Sequence, residues 1–118
     1  MISDLSGAQG KAALQRLITE SIKVEAFFLS NGIDASASGL LRLEPSGQYC
    51  IADPSVLAGA HISFDPRTIA WGKHSDKSSL PELSPPGMLI PTKEFSSALL
   101  FKFKDGSLLA LFEVGKAN

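Results

Sequence analysis

Residues Val24–Leu41 read VEAFFLSNGIDASASGLL. Asn31-Gly32 is a dipeptide that readily takes positive φ at two successive positions, the backbone that a two-residue hairpin turn demands. Ahead of it the side chains alternate. Ile22, Val24, Ala26 and Phe28 form one set, and Lys23, Glu25, Phe27 and Leu29 form the other. A period of two is that of a strand. The second set turns apolar toward the turn, so burial on both faces is expected there. Beyond the turn, Ile33–Ser38 does not return to strict alternation at once. Gly39–Glu44 does, with Leu41 and Leu43 inward and Arg42 and Glu44 outward. The stretch therefore reads as strand, turn, strand, and it sets a β-rich fold.

Toward the N-terminus the period changes. Ser6 followed by Gln9 fits a capping box, and a helix is expected at about 8–21. Ala13, Leu14, Leu17, Ile18 and Ser21 would share one face at spacings of three and four. Met1–Leu5 is expected to be frayed.

Toward the C-terminus, turn signals recur. Glu44-Pro45-Ser46-Gly47 is a tight turn, and Gln48–Asp53 (QYCIAD) is the returning strand. Pro54–Ala60 is a connection of small residues. Ala60–Asp65 and Thr68–Lys73 are expected to form a hairpin about Pro66-Arg67, with Ile62, Phe64, Ile69 and Trp71 inward. Residues 75–91 hold four of the seven prolines. Proline removes backbone donors, so a central strand is not expected there and a long loop is. The clearest hairpin spans 96–114, joined at Lys104-Asp105-Gly106. Leu99, Phe101 and Phe103 face one way along it, and Lys102 and Lys104 face the other.

These elements predict a mainly β fold in a single domain. An N-terminal α-helix precedes a small, strongly bent antiparallel β-barrel over about 22–74, followed by an extra C-terminal hairpin. The length of 118 residues suits one domain, and 44% hydrophobic against 19% charged residues is the profile of a folded chain. With 11 basic and 12 acidic residues the net charge is −1, so no global field draws in polyanions. Any nucleic-acid function needs a local basic patch. No apolar run reaches the ~18 residues of a membrane span. MISDLSGAQGK has no signal-sequence pattern, so no membrane association and a cytoplasmic location are expected.

Catalytic and metal chemistry find little support. His61 and His74 stand alone, without the clustered ligands a metal site needs, and they read as ordinary polar positions. Cys50, the one cysteine, lies in an apolar run and reads as a buried thiol. A Cys50–His nucleophile pair or a catalytic carboxylate pair is not supported by the spacing. No Gly-rich loop leads into a helix, which removes the phosphate cradle. No enzyme activity, metal or cofactor is therefore expected. Lys102 and Lys104, with Lys93 ahead of them, read either as a solvated sheet face or as a phosphate-contacting patch.

One family resemblance covers roughly residues 14–71. LITESIKVEAFFLSNGI is similar to the opening of the Sm-like proteins, particularly their bacterial RNA-chaperone branch. Phe28-Leu29-Ser30-Asn31-Gly32-Ile33 resembles their aromatic-Leu-x-Asn-Gly-Ile turn, and Gln48-Tyr49-Cys50-Ile51 their Gln-aromatic pair. The resemblance implies a short helix capping a strongly bent five-stranded barrel. It also implies rings of six or seven subunits that bind single-stranded RNA. Gln48 and Tyr49 would contact the base, and Arg67 the phosphate. Tyr49 also reads as a barrel core residue on the face of Ile51. The residues after Trp71 extend past the usual barrel.

Three functions follow as expectations. The first is a homo-oligomeric Sm-like barrel binding single-stranded RNA. The second is a protein-interaction or assembly module, with a partner at the loop 75–91 or on a strand edge. The third is a small ligand-binding barrel or enzyme.

Overall fold

The fold was obtained as a computed structural model, which describes residues 1–53, 61–83, 91 and 94–116. Strand β1 (Ile2–Leu5) leads into helix α1 (Gly7–Thr19). Seven further strands follow: β2 (Ile22–Ser30), β3 (Ile33–Leu43), β4 (Tyr49–Ala52), β5 (Ile62–Phe64), β6 (Ile69–Asp76), β7 (Ser97–Phe103) and β8 (Leu108–Lys116). A short helix α2 (Leu80–Leu83) lies between β6 and β7. The expected connection at 54–60 lies outside the described residues.

Local chemistry sets the first elements. Ser6 Oγ accepts from Gln9 N while the Gln9 amide oxygen accepts from Ser6 N, so the capping box forms as read. Leu14 and Leu17 are buried, with Ala13 and Ile18 packed beside them. Asn31 and Gly32 both take positive φ, 49° and 76°, and close β2 onto β3 with Ser30 opposite Ile33. The stretch Ile33–Ser38, which had not read as a regular strand, is one: its pairing with β2 runs unbroken from Ile33 to Leu40.

All eight strands join one antiparallel sheet in the order β1-β6-β7-β8-β2-β3-β4-β5. The sheet is strongly curled. Phe64 on the terminal strand β5 comes within 6.0 Å, ring to ring, of Phe103 on β7, although four strands separate them in the order. Lys104 N donates to Thr68 O at 2.8 Å, which extends the β6–β7 ladder one step past Ile69–Phe103. The curl is not closed, because its two edge strands, β1 and β5, do not pair. A closed barrel is therefore not what these strands make.

The sequence reading is corrected in further places. Leu43, read as inward beside Leu41, is 53% exposed at the end of β3. β1 is not frayed: Ile2–Leu5 pair with Gly72–Ser75 of β6. The segments about Pro66-Arg67 are not a hairpin. A 3-10 turn at Pro66–Thr68, with Asp65 as its cap, carries the chain from one end of the sheet to the neighbourhood of the other. And the C-terminal hairpin is not an addition to a complete barrel. β7 pairs with β6 and β8 pairs with β2, so the hairpin is the middle of the sheet.

Burial explains that central place. Leu99, Phe101, Phe103, Leu109 and Leu111 face the inside of the curl with α1, Tyr49 and Ile51. Ala98, Leu100, Leu108, Ala110 and Phe112 form a second cluster on the opposite face with Phe27, Leu80 and Phe95. A strand with apolar side chains on both faces must be covered on both, and each large side chain so buried contributes about 1.5–3 kcal/mol. Glycine permits one tight crossing. Gly39 sits at φ 148°, and a Cβ there would stand 2.1 Å from Ala52 O.

Candidate binding surface

The three residues implied by the resemblance stand at one corner of the fold, in different states. Tyr49 pairs in register with Phe64. Its ring stacks on Phe64 at 5.5 Å and is 2% exposed. Burial pushes the phenol pKa up. Its ring offers no open face for a base to stack on. Gln48, just before β4, is exposed, and its carbonyl accepts from Glu44 N at 2.8 Å.

Arg67 projects from the 3-10 turn with 83% of its side chain exposed. Its guanidinium is held by Asp65: Nε donates to Oδ1 and Oδ2 at 3.1 and 3.2 Å, and Nη2 to Oδ2 at 2.9 Å. The Arg67 hydrogen bonds hold the Asp65 carboxyl below the usual carboxylate range, and Asp65 in turn raises the Arg67 pKa. Both groups stay charged at neutral pH.

A different aromatic is available. Trp71, expected to point inward, is 36% exposed. The reason is a bulge: Ile69 pairs with Phe103 and Trp71 with Lys102, which leaves Ala70 as an extra residue and resets the alternation. Trp71 then shares a sheet face with Lys102, its cross-strand partner, and with Lys73, whose Nζ lies 5.4 Å from the indole centroid. Lys73 also reaches Asp4 at 3.4 Å. Lys102 and Lys104 are exposed and have no carboxylate within salt-bridge distance among the described residues. The neighbouring Asp105 is occupied by the Ser107 N–H and hydroxyl, which lower its pKa. Since Lys104 N bonds Thr68 O, the Arg67 turn and the β7 lysines flank one surface with Trp71 on it.

Between α1 and the start of β6 lies a cavity of about 270 Å³. Its walls include Leu5, Leu14, Ile69 and Phe101, with Lys11 and Arg67 at its edge. Sequence reasoning missed both this cavity and Trp71. No signal in the amino-acid pattern could have found Trp71, because the bulge that leaves Ala70 as an extra residue has no mark in the sequence.

The remaining polar candidates stay apart. His61 is exposed before β5 and His74 half-buried on β6. Cys50 is buried on β4, opposite Arg42 and Ser63. Among the described residues no three His, Cys, Asp or Glu side chains gather as metal ligands, and no helix is long and apolar enough to cross a membrane. Most of the proline-rich segment and Lys93 lie outside the described residues, so the expected partner site at 75–91 is seen only over 75–83 and at Pro91. Comparison with protein-family models, with curated proteins and with solved structures finds no match.

Proposed function

We propose that the protein is a single-stranded RNA-binding module whose contact surface centres on Trp71. The observation that carries this reading is the pairing of an exposed indole with Lys102 in cross-strand register, flanked by Lys73, Lys104 and Arg67. An aromatic face stacks any base for about 1–3 kcal/mol, and cations beside it meet the phosphates. The resemblance of Phe28–Ile33 and of Gln48-Tyr49 to Sm-like proteins supports the same ligand class. In this reading the base-contacting aromatic is Trp71 and not Tyr49. Arg67 keeps its expected phosphate role, and Gln48 is exposed just before β4.

The test is fluorescence anisotropy of a labelled oligouridylate at several salt concentrations. Four cations on the surface predict a slope of about −3 in log K against log salt. Affinity unaffected by salt, or none at about 50 mM salt, would remove the proposal.

A second reading, assembly of several copies, is favoured by one observation. The open sheet ends on β1 and β5, and terminal strands offer unpaired backbone groups to another strand. A native mass spectrum of the purified protein distinguishes an RNA-bound monomer from an oligomer.

A further inference from the structure

We infer that the cavity between α1 and the start of β6 binds a small organic anion with an apolar body. The inference goes beyond the RNA reading: the cavity is built by α1 and β6, and it shares only Trp71 and Arg67 with the proposed RNA surface. The strip of lysines on β6 and β7 takes no part in its walls.

The sequence keeps this space open with small residues. Gly10 and Gly72 both abut Phe101: a Cβ at Gly72 would stand 2.9 Å from the Phe101 ring, and one at Gly10 3.5 Å. Ala70, the bulge residue, adds only a methyl to the wall. A chamber of about 270 Å³ results, next to solvent. Apolar walls hold water poorly, and they favour an apolar occupant.

The edge of the cavity selects charge. The end of α1 is already closed by the Ser6–Gln9 capping box, so the helix terminus is not what would hold a ligand. Lys11 is exposed and has no carboxylate within salt-bridge distance among the described residues. Arg67 commits Nε and Nη2 to Asp65, which leaves Nη1 outside that pair. A carboxylate or a phosphate ester reaching Lys11 and Nη1, with its carbon chain against Leu5, Leu14 and Ile69, meets both kinds of wall.

The experiment is an amide-resolved NMR titration of the intact protein with hexanoate, hexyl phosphate, hexanamide and inorganic phosphate. Saturable shifts of the Gly7, Gly10 and Gly72 amides are expected with hexanoate or hexyl phosphate, and the tighter of the two identifies the head group. Hexanamide should bind about tenfold more weakly. Lys11→Gln should weaken the anion about tenfold and leave hexanamide unchanged. Ala70→Leu, at an exposed position that tolerates change, should abolish the shifts by filling the space. Three results overturn the inference: no saturable shift with either anion, equal binding of hexanamide, or inorganic phosphate moving the same glycines as strongly. Each is readable whether or not the oligouridylate binds.

Discussion

Arg16 on α1 donates from Nη2 to the buried carboxylate of Glu113 on β8 at 2.6 Å, across 97 residues of sequence. Ser97 Oγ donates to the other oxygen of the same carboxylate at 2.6 Å. The pair ties the N-terminal helix to the strand at the middle of the sheet. It also explains how a carboxylate only 7% exposed is tolerated at the end of an apolar face.

The two ends of that pair predict different costs. Arg16→Ala leaves the carboxylate buried with Ser97 alone, and should destabilise by about 1–3 kcal/mol. The low end is expected, because Arg16 is 42% exposed and water screens the pair. Glu113→Ala also opens a space in the packing and should cost about 2–4 kcal/mol. The double variant should cost less than the sum. Urea unfolding of the four proteins measures this, and strict additivity would show that the pair is not coupled.

Glycines on either side of Phe101 should respond in opposite directions. Gly10→Ala places a methyl at ordinary contact distance inside a helix, and should be neutral or stabilise by up to about 1 kcal/mol. Gly72→Ala forces a Cβ to 2.9 Å from the ring and should destabilise by about 1–3 kcal/mol. Thermal unfolding ranks the two. Equal midpoints would mean that β6 does not press on Phe101 as described.

Tyr49 gives a pH signature of the core. It is the one tyrosine in the chain, so its phenolate absorbance reads a single site. Burial raises its folded pKa. The unfolded chain therefore ionises first, and stability should fall as pH rises above about 10, the ordinary tyrosine value. Absorbance rising at the free-tyrosine pH in the folded protein would place the ring in solvent.

Asp65 is the natural competitor for any phosphate at Arg67. Asp65→Asn should free the guanidinium and strengthen oligouridylate binding about threefold. The same carboxylate has a depressed folded pKa. Its contribution to stability is present above about pH 4 and is lost as pH falls through the lower folded value. Asp65→Asn should remove that part of the acid-side slope. Weaker RNA binding by Asp65→Asn would mean that the clasp orients Arg67 for the ligand and does not compete with it.

What the sequence made legible was local. The Ser6–Gln9 cap, the Asn31-Gly32 turn and the Lys104-Asp105-Gly106 turn each depend on a few adjacent residues, and each formed where it was read. The bent antiparallel character was also readable, from short strands punctuated by turns. The neighbours of β7 and β8 were not, because strand order depends on which distant faces match. The clue was present in Ala98–Phe101 and Leu108–Phe112, apolar at every position and so destined to be covered on both sides. Reading that hairpin only by Leu99, Phe101 and Phe103 hid it. The surface was half legible: Arg67 lies in the open, the bulge at Ala70 turned Trp71 outward where it had read as inward, and Tyr49, read both as a base contact and as a core residue, is buried.

Trp71 is the only tryptophan in the chain, so its emission tests the proposed RNA surface without a label. Titration with an oligouridylate at about 50 mM salt should quench Trp71 saturably, with the midpoint seen by anisotropy. Lys102→Glu with Lys104→Glu should weaken both signals together by tenfold or more. A folded protein whose Trp71 emission and anisotropy stay flat through the titration would contradict the account.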